Sequence, residues 1–86
     1  MQRRWVVSPD YRAIIEVLKK VRAEKGLSLR EACGRIGKPP SFLNKIELME
    51  RRIDVLEFIA LARAYEIDPH QFLDRLMAVV SDTPDI

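Results

Sequence analysis

The sequence predicts an all-α domain of five short helices, preceded by a short N-terminal arm. Apolar residues recur at helical spacing, beginning with Tyr11, Ile14, Ile15, Leu18 and Val21. Helix-opening residues stand before each such stretch: Ser8-Pro9, Ser28, Pro40, Asp54 and Asp68-Pro69. Gly26 and Gly37 follow the last apolar positions of the first two stretches, where a residue free to turn left-handed ends a helix.

Taken in order, residues 1–8 form the arm, 9–80 the domain and 81–86 a flexible polar tail. Trp5, Val6 and Val7 are bulky for a free terminus; they pack either on their own subunit or on a partner, or Trp5 caps the core. Helix 1 is expected from Pro9 to Glu24, with Asp10 near its positive end. Helix 2, Leu29 to Ile36, opens on an S-x-x-E capping box, Ser28 and Glu31. Its small apolar face of Ala32, Cys33 and Ile36 admits a close crossing. Helix 3, Pro40 to Leu48, turns Leu43 and Ile46 inward and leaves Ser41, Phe42, Asn44 and Lys45 outward. Helix 4 runs from Val55 to Tyr65 behind an Asp54 cap, with Phe58, Ile59 and Ala62 on one side and Leu61 and Tyr65 beside them. Helix 5 starts at Pro69 and reaches Val80. A polar, part-basic helix held steeply on a small-residue helix is how a helix-turn-helix offers side chains to a DNA major groove.

Composition narrows the function classes. The 86 residues are 48% hydrophobic and 33% charged, as in a globular domain with a modest core, for which burial against a second copy is a common supplement. The net charge is only +2, but it is divided unevenly. Residues 1–53 hold 13 Lys/Arg against 6 Asp/Glu, and residues 54–86 hold 2 against 7. A basic half suits a polyanion. The single cysteine excludes an internal disulfide framework, and no apolar run is long enough for a membrane span. MQRRWVV lacks the apolar segment of a signal peptide, so a cytoplasmic, nucleoid-associated location is expected. His70 stands without metal-ligand spacing, Cys33 reads as a packed thiol, and the three glycines form no phosphate loop. No catalytic constellation, metal or cofactor is therefore expected.

Three segments carry a family resemblance: LKKVRAEKGLSLREA, GKPPSFLNKIE and RRIDVLEFIALARAYEIDP. In order and spacing they resemble the Cro/lambda-repressor type of helix-turn-helix, the Xre family, over residues 18–73. The resemblance implies a lambda-repressor-like DNA-binding fold. It also implies that bases are read from the start of helix 3, here Pro39, Pro40, Ser41 and Lys45, with Asn44 alongside. Lys45 suits guanine O6 or N7, Asn44 the paired edges of adenine, and Phe42 a thymine methyl or a sugar. Lys38, Arg51 and Arg52 suit phosphates, as do the backbone N–H groups at the start of helix 2. The family's arginine–glutamate clamp corresponds to Arg22 and Glu47. The sequence departs from the pattern at Pro39, often Ser or Thr in the family, at Leu29, often Gln, and at Met49, usually Gly.

These readings converge on a transcriptional regulator that binds double-stranded DNA as a homodimer at an inverted repeat. The apolar stripe Phe72, Leu73, Leu76, Met77 and Val80 is expected in the dimer interface. The alternative is a protein-binding module on the same fold, such as an antitoxin paired with a toxin. It is motivated by the acidic C-terminal half, by Leu48 and Met49, and by Pro39-Pro40. RNA polymerase is the other protein partner to be expected.

Overall fold

Side chains written into the sequence set where each helix begins. The computed structural model describes residues 8–84 and 86. They form α1 (Pro9–Glu24), α2 (Leu29–Arg35), α3 (Pro40–Glu47), α4 (Val55–Ala64) and α5 (Pro69–Met77). Before α1, the Tyr11 N–H donates to Ser8 Oγ at 3.2 Å. Two reciprocal capping boxes open α2 and α4. The Glu31 N–H donates to Ser28 Oγ and the Ser28 N–H to Glu31 Oε1, both at 3.0 Å. The Glu57 N–H donates to Asp54 Oδ1 at 2.7 Å and the Asp54 N–H to Glu57 Oε1 at 3.0 Å. The backbone donation to Glu31 holds its carboxyl below the ordinary range. At α5, Asp68 accepts from the His70 N–H at 2.8 Å. Only α3 has no side-chain cap, because its cap residue is Pro39.

Four helices end by one device. The residue after the C-cap turns left-handed, and the next N–H reaches back to a carbonyl in the last turn. Those N–H donors are Leu27, Lys38, Glu50 and Ile67, which bond the carbonyls of Arg22, Cys33, Lys45 and Ala62 at 3.2, 3.0, 2.8 and 3.0 Å. The left-handed residue is Gly26 or Gly37 at φ 68°, but Met49 at φ 61° and Glu66 at φ 55° in the other two helices. Because the C-cap residue lies outside the helix proper, α2, α3 and α4 each stop one residue before the expected end. α5 stops at Met77 rather than Val80. Beyond it the Val79 and Val80 N–H groups bond only three residues back, to Leu76 and Met77.

The core is built from one face of each helix. Ile15, Leu18 and Val21 of α1 meet Ala32 and Cys33 of α2, Leu43 and Ile46 of α3, Leu61, Ala62, Ala64 and Tyr65, and Phe72 and Leu76 of α5. Phe72 stands between two rings, with centroids 4.9 Å from Phe58 and 6.2 Å from Tyr65. The Tyr65 hydroxyl is buried without a hydrogen-bond partner among the described residues, and burial pushes its pKa up. Such an orphan costs about 1–3 kcal/mol, which the burial of its ring must exceed.

Polar ties join the helices at the surface. Arg75 donates to both Glu24 oxygens at 2.8 and 3.0 Å, joining α5 to α1 and lowering the Glu24 pKa. Arg35 donates to the Ala64 carbonyl at 2.6 Å, joining α2 to the end of α4. The Ile53 N–H donates to the Tyr11 hydroxyl at 3.2 Å. The tail, expected to be flexible, starts anchored: Ser81 donates its N–H and its hydroxyl to the Asp10 carboxylate, each at 2.8 Å. The arm residues Trp5, Val6 and Val7 lie outside the described residues.

Glu66 is exposed, and its ion pair with Arg35 is a surface one at 3.3 Å. Glu66→Gly relieves a left-handed side-chain conformation at little other loss, and is expected to stabilise the domain by about 0.5–1 kcal/mol. Urea denaturation checks this; a lowered midpoint would show that the backbone there is not strained.

Candidate nucleic-acid interface

α3 has one locked side and one open side. Leu43 and Ile46, three apart, are completely buried. Ser41, Asn44 and Lys45 occupy the opposite side and are exposed. The helix is fixed at its far end by a paired charge. Arg22 donates from Nε to Glu47 Oε2 at 2.7 Å and from Nη2 to Glu47 Oε1 at 2.9 Å. Its Nη1 donates to the Leu27 carbonyl at 2.8 Å. One guanidinium therefore joins α1, the turn after it and the last residue of α3. The Glu47 side chain is 6% exposed and that of Arg22 20%. The hydrogen bond to Glu47 raises the Arg22 pKa in spite of burial. On the other side of the turn, the Cys33 thiol is buried and points at the Pro40 carbonyl, 3.8 Å away.

A second charged group lies beside the start of α3. Phe42, expected to face outward, is half-buried and packs on the core. The Arg51 guanidinium carbon sits 4.9 Å from its ring centroid and Lys38 Nζ 5.7 Å. Arg51 in turn donates to Glu57 Oε1 at 2.9 Å, to Glu57 Oε2 at 2.7 Å and to the Arg52 carbonyl at 2.9 Å. This pairing raises the Arg51 pKa and lowers that of Glu57. Arg51 is thus already bound within the protein. Lys38 and Pro39 are exposed in the turn, Pro40 is half-buried at the helix start, and Arg52 is exposed in the linker. Lys38 and Arg51 stand beside α3 through Phe42, whereas Arg52 lines a small pocket near the start of α1 and the tail.

Sequence reasoning missed Glu57, Tyr11 as a polar tie, and the Arg35 bond to α4. For Glu57 a signal was present: Asp54 and Glu57 have capping-box spacing. Nothing in a helical period pairs residues six apart across a turn, so its bond to Arg51 had no such signal. The stripe expected at the dimer interface is divided between the core and the surface. Phe72 is fully buried and Leu76 is 9% exposed, both inside this chain's own core. α5 ends before Val80, which is half-buried and lines a small pocket with Pro84 and Ile86. Leu73 and Met77 remain outside, 46% and 65% exposed. Leu73 lines an apolar groove of about 490 Å³, walled also by Tyr11, Ile14, Ile53, Phe58 and Ile59, with exposed His70 at its rim. Among the described residues there is no His/Cys/Asp/Glu cluster suited to a metal, and no helix is long and apolar enough to cross a membrane.

A short capped helix, a glycine turn and a second helix with its polar side free define a helix-turn-helix protein of the DNA-binding class. The helix-turn-helix family model matches residues 18–72. An XRE-family like protein from Pseudomonas syringae pv. tomato str. DC3000 is 36% identical, with a TM-score of 0.76 over 84% of this chain and 88% of that one. The clp gene regulator ClgR from C. glutamicum shares the fold at 19% identity, with a TM-score of 0.72 over 86% of this chain and 96% of its own. No curated protein gave a match. The chain belongs to the Xre family of helix-turn-helix proteins.

Removing one partner of the Arg22–Glu47 pair strands a largely buried charge. Glu47→Ala is expected to destabilise the domain by about 3 kcal/mol, as seen when buried pairs are broken. A loss below about 1 kcal/mol in chemical denaturation, the range of a surface pair, would show that the pair does not hold α3 in place.

Proposed function

We propose that this protein is a transcriptional regulator that binds double-stranded DNA in a sequence-specific way, as a homodimer on an inverted repeat. The observation that carries this reading is α3 itself: Ser41, Asn44 and Lys45 are presented together while Leu43, Ile46 and Glu47 are immobilised behind them. A helix in the major groove needs that combination of free polar side chains and a fixed axis. Lys45 and Asn44 read base edges, Ser41 donates or accepts beside them, and Lys38, Arg51 and Arg52 meet phosphates. Two copies place their α3 helices about 34 Å apart, one per half-site. The dimer contact is assigned to Leu73 and Val55, which line the apolar groove, together with exposed Met77 and Leu56; Val55 and Leu56 are 76% and 75% exposed. Exposed apolar side chains beside an apolar hollow suit a two-fold, self-complementary contact.

A second reading, a protein-binding module such as an antitoxin, is favoured by one observation. Leu48 is 58% exposed directly after α3, an apolar side chain at the edge of a surface meant for DNA. DNA binding that is insensitive to salt, or absent, favours this reading over the first.

Lys45→Ala is expected to weaken binding by about 1–3 kcal/mol and to relax preference at one base pair per half-site. Binding to a selected duplex and to random duplex, measured together, checks it; equal losses on both remove the base-reading role. Met77→Asp is expected to shift the protein from dimer to monomer in sedimentation equilibrium without changing its helix content. A dimer of undiminished stability assigns the contact elsewhere.

A further inference from the structure

The guanidinium of Arg51 has five N–H donors in one plane. Three are used: two by Glu57 across the Nη1–Nη2 end, and one by the Arg52 carbonyl. The Nε N–H and the second Nη2 N–H lie along the remaining side. They have no hydrogen-bond partner among the described residues, and the side chain is 41% exposed. The guanidinium carbon lies over the Phe42 ring, 4.9 Å from its centroid. The group is therefore held at one end and seated over an aromatic ring, with a two-pronged edge left open.

We propose that this open edge of Arg51 is a pre-set clamp for a single DNA backbone phosphate, and that Phe42 and Glu57 are its positioning residues. The inference rests on the DNA-binding reading above and adds the roles of two side chains to it. Two parallel N–H donors match two phosphate oxygens, a fit that a lysine ammonium cannot reproduce. Glu57 cancels the charge of Arg51 at a distance, so direction rather than net charge is what the pair contributes. Phe42, with its ring engaged by Arg51 and near Lys38, serves as the platform and not as a contact for thymine. Ordering Arg51 before DNA arrives removes part of the entropy cost of the contact.

The test measures fluorescence anisotropy across a salt series with two probes, a duplex enriched by the wild-type protein from random sequence and a random duplex. Arg51→Lys keeps the charge and loses the fork; it is expected to bind about tenfold more weakly than wild type, close to Arg51→Ala. Phe42→Leu and Glu57→Gln are each expected to weaken binding about threefold, the latter although it makes the protein more positive. Gln serves a capping box as Glu does, so Glu57→Gln leaves α4 capped. Arg51→Lys binding as wild type does, or Glu57→Gln binding more tightly to both duplexes, overturns the inference and leaves DNA binding standing. A wild-type protein with no salt-dependent affinity for either duplex overturns both. Should Phe42→Leu fail to fold, Arg51→Lys and Glu57→Gln decide.

Discussion

The arrangement of this domain depends on one guanidinium. Arg22 reaches the α1–α2 turn at Leu27 and the final residue of α3 at Glu47. Hydrophobic burial pulls Leu43 and Ile46 inward, but burial is non-directional and tolerates a helix that rolls or slides. A two-pronged, charge-assisted bond does not. It fixes the last turn of α3, which also carries Asn44 and Lys45, and so sets the direction of those side chains. The clamp lies in the partly desolvated zone between core and surface, where such a bond is strengthened but its charges are not wholly stripped of water.

Around that fixed point, local chemistry decides the boundaries. Four of five helix starts have a side-chain cap, and four of five ends have the left-handed turn. The exception at the start is α3, whose Pro39 supplies φ without a hydroxyl. Its absence leaves the opening of α3 chemically plain, while the neighbouring Lys38, Phe42 and Arg51 gather cation and aromatic groups there.

Much of this was legible in the residues. Ser28-x-x-Glu31, Asp54 and Asp68-Pro69 state their helix starts outright, and Gly26 and Gly37 state two ends. Met49 and Glu66 could not be read the same way, because a side chain in the left-handed region is chosen by surrounding packing and not by propensity. Met49 was at least marked as standing where the family has glycine. The division of the α5 stripe between core and surface was illegible for a related reason. Helical spacing shows that Phe72, Leu73, Leu76 and Met77 cluster, but not which of them the rest of the chain will cover. Phe58 and Tyr65 draw Phe72 inward, and α5 turns so that Leu73 and Met77 lie outside. The Arg51–Glu57 bond was illegible because it crosses a turn, where no periodic rule applies.

The helix boundaries have a kinetic consequence. Their capping hydrogen bonds join residues no more than five apart, so much of each boundary is drawn by neighbours in the chain rather than by distant parts. Helices this short gain their stability as they dock, and small helical domains rich in such nearby contacts fold on microsecond to millisecond timescales. A chain that completes itself so quickly exposes its apolar faces only briefly after synthesis, which limits the time in which one unfinished copy can aggregate with another.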